Sequence, residues 1–278
     1  QEVTVNDDQD PAITAPANVT ITADAGLCSS SVVVLGTPVT GDNCGVASVT
    51  DDGLADYPVG TTTVTWTVTD LAGNTATATQ IVTVTDDEDP TMVVPADVNE
   101  TADAGACYAT NIVLGVVTTD DNCAVAGVVN NAPDTFAVGT TTVTWTVTDI
   151  HGNITTGTQD VVISDDEDPA ITPPADVIVN ADPGVCTAAS VSLGTPLTSD
   201  NCGVASVIND APSPFPSGST TVTWTVTDVH GNTATATQEV TVNDDQDPAI
   251  TAPANVTITA DAGLCSSSVV VLGTPVTG

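Results

Sequence analysis

A short acidic stretch closed by proline recurs along this chain at a fixed interval. The copies are Asp7-Asp8-Gln9-Asp10-Pro11, Asp86-Asp87-Glu88-Asp89-Pro90, Asp165-Asp166-Glu167-Asp168-Pro169 and Asp244-Asp245-Gln246-Asp247-Pro248. Each begins 79 residues after the one before, so one unit is copied along the chain and the unit is the domain. The period sets residues 1–7 as the end of a preceding repeat, 8–86, 87–165 and 166–244 as three full repeats, and 245–278 as part of a fourth. Residues 1–41 and 238–278 are identical, which predicts a longer parent chain that repeats in blocks of three. Gln1 stands late in a repeat, where no secretory leader is expected. A module of about 80 residues buries a modest core and sits near the size where a disulfide or a metal ion contributes to stability.

Charge narrows the possible partners. The 278 residues contain no Lys and no Arg against 36 Asp and Glu, a formal net charge of -36. Nothing in the chain can neutralise phosphates, so nucleic acid and anionic membrane surfaces are excluded as partners. No apolar run approaches the roughly 20 residues of a membrane-spanning helix. Acidity with few aromatics can signal disorder, but 41% hydrophobic residues and alternating Val/Thr segments argue for folded strands.

Within one repeat, Pro11-Ala12-Ile13 and Val19-Thr20-Ile21-Thr22 read as a first strand split at Pro16, since proline is tolerated only at an edge. The apolar run Ser31–Leu35 predicts a buried strand, followed by the polar loop Gly41–Gly45 and a strand over Val46–Val49. Thr61–Thr69 alternates Val64, Trp66 and Val68 against threonines, which buries Trp66 on one face. Asp70-Leu71-Ala72-Gly73-Asn74 predicts a hairpin turn with Gly73 and Asn74 suited to positive φ, and Thr75–Val84 returns into the next acidic stretch. Six or seven short strands and one buried Trp per unit (Trp66, Trp145, Trp224) predict an all-β fold of tandem sandwiches, end to end.

The seven cysteines stand at 28, 44, 107, 123, 186, 202 and 265. With no C-x-x-C pattern, they read as structural disulfides of a secreted protein. Short loop closure favours pairing within repeats, Cys28 with Cys44, Cys107 with Cys123 and Cys186 with Cys202, leaving Cys265 to a partner outside the sequence. Pairing Cys44 with Cys107 leaves one odd cysteine as well, so parity does not decide.

Asp42-Asn43-Cys44-Gly45, Tyr57-Pro58-Val59-Gly60 through Trp66, and Thr69-Asp70-Leu71-Ala72-Gly73-Asn74-Thr75 together resemble the hyalin repeat, HYR, an immunoglobulin-like module. The likeness recurs in every full repeat; Ser217 and Ser219 flank Gly218 in the third, and the cysteine that the family often carries late in its last strand is absent. The resemblance implies an extracellular immunoglobulin-like sandwich used in adhesion or as a stalk at the cell surface. Tandem acidic repeats without lysine also resemble those of giant surface adhesins of gliding bacteria, exported by the type IX pathway.

In an immunoglobulin-like sandwich, the loop before the third strand and the last hairpin face the preceding acidic stretch. Asp86 should therefore meet Asp121, Asn122, Asp149 and Asn153 of the following repeat, with Asp24 of the preceding one a further candidate. By the period, the expected calcium ligands are Asp7, Asp8, Asp10, Asp42, Asp70 and Asn74; Asp86, Asp87, Asp89, Asp121, Asp149 and Asn153; Asp165, Asp166, Asp168, Asp200, Asp228 and Asn232; and Asp244, Asp245 and Asp247. Calcium takes six to eight oxygens from such groups, whereas zinc favours nitrogen and sulfur. The bland alternative is that Asp, Asn and Gly only cap turns. His151 and His230 occupy the hairpin position of Ala72 and read as surface turn residues. No cleft holds two unlike carboxylates, so no enzyme is expected. The expected role is a calcium-stiffened stalk segment of a large secreted bacterial adhesin in gliding or attachment, with neighbouring repeats as partners and an extracellular surface or polysaccharide engaged elsewhere. The alternatives are repeats that bind carbohydrate through calcium, or accessory domains of a secreted enzyme.

Overall fold

The computed structural model describes residues 1–277 and contains strands, turns and no helix among them, hence none long and apolar enough to cross a membrane. The first repeat holds eight strands: β1 (Ala12–Thr14), β2 (Val19–Thr22), β3 (Ser29–Ser30), β4 (Val39–Gly41), β5 (Val46–Asp51), β6 (Tyr57–Pro58), β7 (Gly60–Asp70) and β8 (Thr75–Thr85). Its main sheet has the order β2-β8-β7-β5, with β2 parallel to β8 and the other pairs antiparallel. Opposite it lie two short antiparallel pairs, β1 with β4 and β3 with β6. The split first strand is thus real, and its halves serve different layers: Pro16 interrupts the chain where it leaves β4 for the edge of β8.

The two long strands carry the core because their alternation is strict. Val64, Trp66 and Val68 are buried while the threonines between them are half-covered. Trp66 packs in one core with Tyr57, Val82 and Val84, with Val19 and Ile21 of β2, and with Ile13, Val33 and Leu35 from the other layer. The second and third repeats repeat this core around Trp145 with Phe136 and Trp224 with Phe215. The hairpin follows the expected turn in part: Gly73 is left-handed (φ 98°), as only glycine readily allows, whereas Asn74 is not among the positive-φ residues. Asn74 instead begins the return toward β8 with its amide committed to Asp70.

Ser31–Leu35 forms no strand. Val32 and Val34 are 67% and 78% exposed while Val33 and Leu35 reach the core. A continuous apolar run needs cover on both faces to act as a buried strand, and the thin second layer covers only one.

Each core contains one buried polar device. The indole N–H of Trp145 donates to Gln159 Oε1 at 3.1 Å, and Gln159 Nε2 donates to the carbonyls of Ala96 and Leu114 at 2.6 and 2.9 Å. Gln159 therefore ties the long hairpin to the unpaired segments of the opposite layer, and Gln80 and Gln238 do the same in their repeats. Replacing Gln159 by Leu leaves three buried groups without partners. At about 1 kcal/mol or more for each, Gln159→Leu should lower stability by roughly 3 kcal/mol in urea unfolding, despite the apolar gain.

An acidic cluster at each repeat start

The chain divides into two compact units, residues 1–103 with 108–164 and residues 104–107 with 165–278. The first unit holds two acidic clusters and the second holds one. Asp7, Asp42 and Asp70 form the first, Asp86, Asp121 and Asp149 the second, and Asp165, Asp200 and Asp228 the third; in each, carboxylate oxygens lie within 4.8 Å of one another.

Three local structures deliver these groups. The hairpin aspartate is 2% exposed in each repeat and caps its own turn. Asp149 Oδ1 accepts from the backbone N–H groups of His151, Gly152 and Asn153, and its Oδ2 accepts from Asn153 Nδ2 at 2.7 Å. Asn153 Nδ2 also donates to the Asp86 carbonyl at 3.4 Å, which hangs the acidic stretch on the hairpin. Asn74 and Asn232 make the matching contacts to the carbonyls of Asp7 and Asp165.

The loop aspartate makes a tight side-chain turn. Asp121 Oδ2 accepts from the N–H groups of Cys123 and Ala124 at 2.9 and 2.8 Å, and Asp42 and Asp200 do likewise. The other oxygen is left over: Oδ1 of Asp42, Asp121 and Asp200 is buried without a partner, as is Oδ1 of Asn122 and Asn201. Buried polar atoms are normally paired, and this oxygen stays unpaired at the same place in three repeats.

The third contribution comes from the first residue of the acidic stretch. The side chains of Asp86 and Asp165 are 0% and 1% exposed. Asp86 Oδ1 accepts from Asn122 Nδ2 at 3.0 Å, and Asp165 Oδ1 from Asn201 Nδ2 at 3.2 Å. The other expected ligands of each stretch, Asp8, Asp10, Asp87, Asp89, Asp166 and Asp168, do not join these groups and are solvent-facing to differing degrees. Among the described residues, Asp244, Asp245 and Asp247 join no cluster; Asp245 accepts from Asn180 Nδ2 instead. Asp24 is likewise not part of a cluster, since its carboxylate caps Ser30 and Ser31.

The residue after the second aspartate has a separate task. Glu88 Oε2 accepts from the Gly26 N–H at 2.8 Å, and Glu167 and Gln246 accept from Gly105 and Gly184. An oxygen acceptor is all that position needs, which accounts for Glu88 and Glu167 in two copies and Gln246 in another.

The disulfides differ from the expected pairing. Cys28 bonds to Cys123 and Cys107 to Cys202, each 95 residues apart, while Cys44, Cys186 and Cys265 are free and exposed. Cys28–Cys44, Cys107–Cys123 and Cys186–Cys202 are thus corrected, for a geometric reason. Cys28 sits by the Thr85–Glu88 end of its sandwich, as the bonds from Ala23 to Thr85 and from Gly26 to Glu88 show, whereas Cys44 sits by Asp70 at the other end. Strand β8, of eleven residues, spans about 35 Å between the two ends, far beyond the ~7 Å that a disulfide tolerates between Cα atoms. Closeness in sequence misleads here because the repeat places its two cysteines at opposite poles. Digestion with an aspartate-specific protease without reductant should release a linked fragment containing Cys28 and Cys123; a Cys28–Cys44 link would contradict the structure.

His151 and His230 stand exposed on the hairpin turn, as expected, and each also meets a carboxylate of the acidic stretch. Each Nδ1 lies 3.0 Å from an oxygen of the stretch aspartate, Asp86 or Asp165. The available signal was positional: the hairpin tip and the acidic stretch share a pole, so any side chain at position 72 of the repeat pattern faces the carboxylates.

Electrostatics follow from these bonds. Burial pushes the Asp149 carboxyl up, but hydrogen bonds from the Asn153 side chain and backbone, then from Gly152 and His151, outweigh it and hold the pKa below the usual aspartate value; Asp70 and Asp228 behave alike. A lowered folded-state pKa contributes stability above the unfolded-state value, and that contribution is lost as pH falls through the folded pKa. The stability difference between the parent chain and Asp149→Asn should therefore be constant above about pH 5 and shrink on acidification, read from melts in metal-free buffer.

Comparison with known proteins gives a consistent picture. The HYR domain family matches residues 6–84 and 164–242. Hyalin of Strongylocentrotus purpuratus is 33% identical over 275 residues, covering 92% of this chain and 22% of hyalin. Hyalin of Lytechinus variegatus is 33% identical over 283 residues, covering 93% of this chain and 52% of that protein. The chain thus spans about a fifth and about half of these relatives' lengths. Among solved structures, the protocadherin gammaB7 EC3-6 cis-dimer is 14% identical (TM-score 0.34, 90% of this chain and 77% of that one). Sidekick-1 immunoglobulin domains 1-4 is 12% identical (TM-score 0.35, 86% and 75%).

Proposed function

We propose, on the premise that this chain belongs to the HYR domain family, that it is an extracellular stalk segment of a large adhesin whose acidic clusters bind calcium. The observation that supports calcium most directly is the set of orphaned, buried oxygens of Asp42, Asp121 and Asp200 beside two further carboxylates, in a chain without Lys or Arg. Like charges this close need a counter-charge, and the chain has no Lys or Arg to supply it.

The donor set fits a hard cation. The first cluster offers carboxylate oxygen, the second and third add the orphaned amide oxygens of Asn122 and Asn201, and the exposed rim leaves room for water. Calcium accepts six to eight oxygens in flexible geometry, with extracellular modules binding at about 0.1 to 1 mM. Asp86, Asp121 and Asp149 would hold the ion, which supplies positive charge and a tie between an acidic stretch, a loop and a hairpin. The Cys28–Cys123 disulfide and the bond from Asn122 Nδ2 to the Leu27 carbonyl fasten the preceding sandwich to that same loop. Calcium and disulfide together would make the joint stiff.

Adhesion-type repeats are not an enzyme family, and a stalk suits the side-chain distribution better than a sugar-binding surface. Sugar sites use exposed aromatic rings; here Trp66, Trp145, Trp224, Tyr57, Phe136 and Phe215 are buried, and only Tyr108 is exposed among the seven aromatics. Within this reading, the finer setting is a cell-surface adhesin of the bacterial gliding type, with the ligand-binding tip elsewhere; the lysine-free, acidic, tandem sequence supports it.

Calcium at a hundredfold excess over its Kd should stabilise the chain by about 2.7 kcal/mol per site, raising the melting temperature relative to chelator. Asp121→Asn should remove one site's share of that gain and increase the flexibility seen by small-angle scattering. Identical melts and scattering with calcium and with chelator would refute the reading.

A further inference from the structure

The clusters differ at one side chain. In the first, the hairpin residue is Ala72, and Oδ2 of Asp7 is buried with no partner. In the second and third, the equivalent residues are His151 and His230, and their Nδ1 atoms lie 3.0 Å from Oδ2 of Asp86 and Asp165. An imidazole nitrogen thus stands beside the very oxygen that the first cluster leaves unmet.

We propose that the two histidine clusters are mixed nitrogen–oxygen sites for a borderline transition ion of the nickel, cobalt or zinc class, while the Asp7 cluster takes hard ions alone. This rests on reading the clusters as cation sites and adds a selectivity that differs between repeats. Two ligands at right angles, each about 2.1 Å from a metal, lie about 3.0 Å apart, which matches the separation of Nδ1 and Oδ2. Asp86 and Asp165 also belong to the carboxylate groups with Asp121 and Asp200, whose buried Oδ1 atoms lack partners. Sulfur does not compete: Cys123 and Cys202 come within 4.8 Å of these groups, but both are in disulfides.

Chemistry then separates the two kinds of cluster. Calcium and magnesium prefer oxygen and gain little from imidazole, whereas nickel, cobalt, copper and zinc gain affinity from it. The histidine side chains are 28% and 32% exposed while their aspartate partners are buried. An ion can therefore reach Nδ1 from solvent, and water can complete its shell. Coordination uses the Nδ1 lone pair with the proton on Nε2, so the hydrogen bond to aspartate gives way to two metal–ligand bonds.

Nickel and calcium titrations of the metal-free chain by calorimetry, with cobalt absorption and histidine proton resonances as spectroscopic readouts, test this. His151→Ala with His230→Ala recreates what the first repeat already carries at Ala72, so the fold should tolerate it. Nickel affinity should fall about tenfold or more in the double variant, while calcium affinity changes by less than about threefold. Ala72→His should add a third nickel site. Unchanged nickel affinity in the double variant, or no new site in Ala72→His, would overturn the proposal and leave His151 and His230 as hydrogen-bond donors. Histidine-dependent nickel binding without calcium binding would sink the calcium reading and uphold this one; calcium at every cluster with histidine-independent nickel binding would do the reverse.

Discussion

With no Lys or Arg anywhere, every carboxylate in this chain must be met by a backbone N–H, an amide, a hydroxyl, water or a cation. The fold depends on how those donors are shared out. The hairpin aspartates take several each and are held ionised; the loop aspartates take two through one oxygen and none through the other. The stretch aspartates draw on the loop asparagine and, in two repeats, on histidine. A single orphaned oxygen could be an accident of packing. Its recurrence at Asp42, Asp121 and Asp200, three copies of one design, turns it into a property of the module.

The covalent and ionic ties share a loop. Asp121 and Cys123 lie two residues apart, so the turn that presents Asp121 Oδ1 to the cluster also presents Cys123 to Cys28. This explains why the sequence keeps Asp-Asn-Cys together: Asp faces the cluster, Asn spans from Asp86 to the Leu27 carbonyl, and Cys reaches the preceding sandwich. Loop closure over 95 residues costs more entropy in the unfolded chain than closure over 16, so the long-range bond also contributes more to stability, by about 1.6 kcal/mol in the chain-entropy picture.

Much of this was legible before any coordinates. The alternation around Trp66 gave both long strands and their inward face, because period two has only one reading when every second residue is threonine. The shared pole of loop, hairpin and acidic stretch followed from the sandwich topology, and Asp86, Asp121 and Asp149 do converge. What was not legible depended on distances that sequence separation hides. Cys28 and Cys44 are 16 residues and a whole sandwich length apart. Gln80 sits opposite Val64 on the buried face and serves Trp66 and two carbonyls, a role that the polarity of one residue in an alternating strand does not announce. Ser31–Leu35 looked buried because composition reports how apolar a segment is, not how many layers cover it.

Because the repeats are copies, their differences act as an internal mutation series. Gly157 replaces the Ala78 and Ala236 of the other repeats, and a Cβ there would come within 2.5 Å of Val94 and 3.0 Å of Met92. Val94 is in turn larger than Ala15 of the first repeat, and Met92 is about the volume of Ile13 but longer, so volume removed from the sheet was returned by the facing layer at Val94. That exchange is what a close-packed core demands, and it leaves the Trp–Gln bonds unchanged. The exchange of Ala72 for His151 is of another kind, because the new side chain is exposed and meets a carboxylate rather than a core. A substitution compensated by volume belongs to the fold, whereas His151 adds a partner to the oxygen that the first repeat leaves without one.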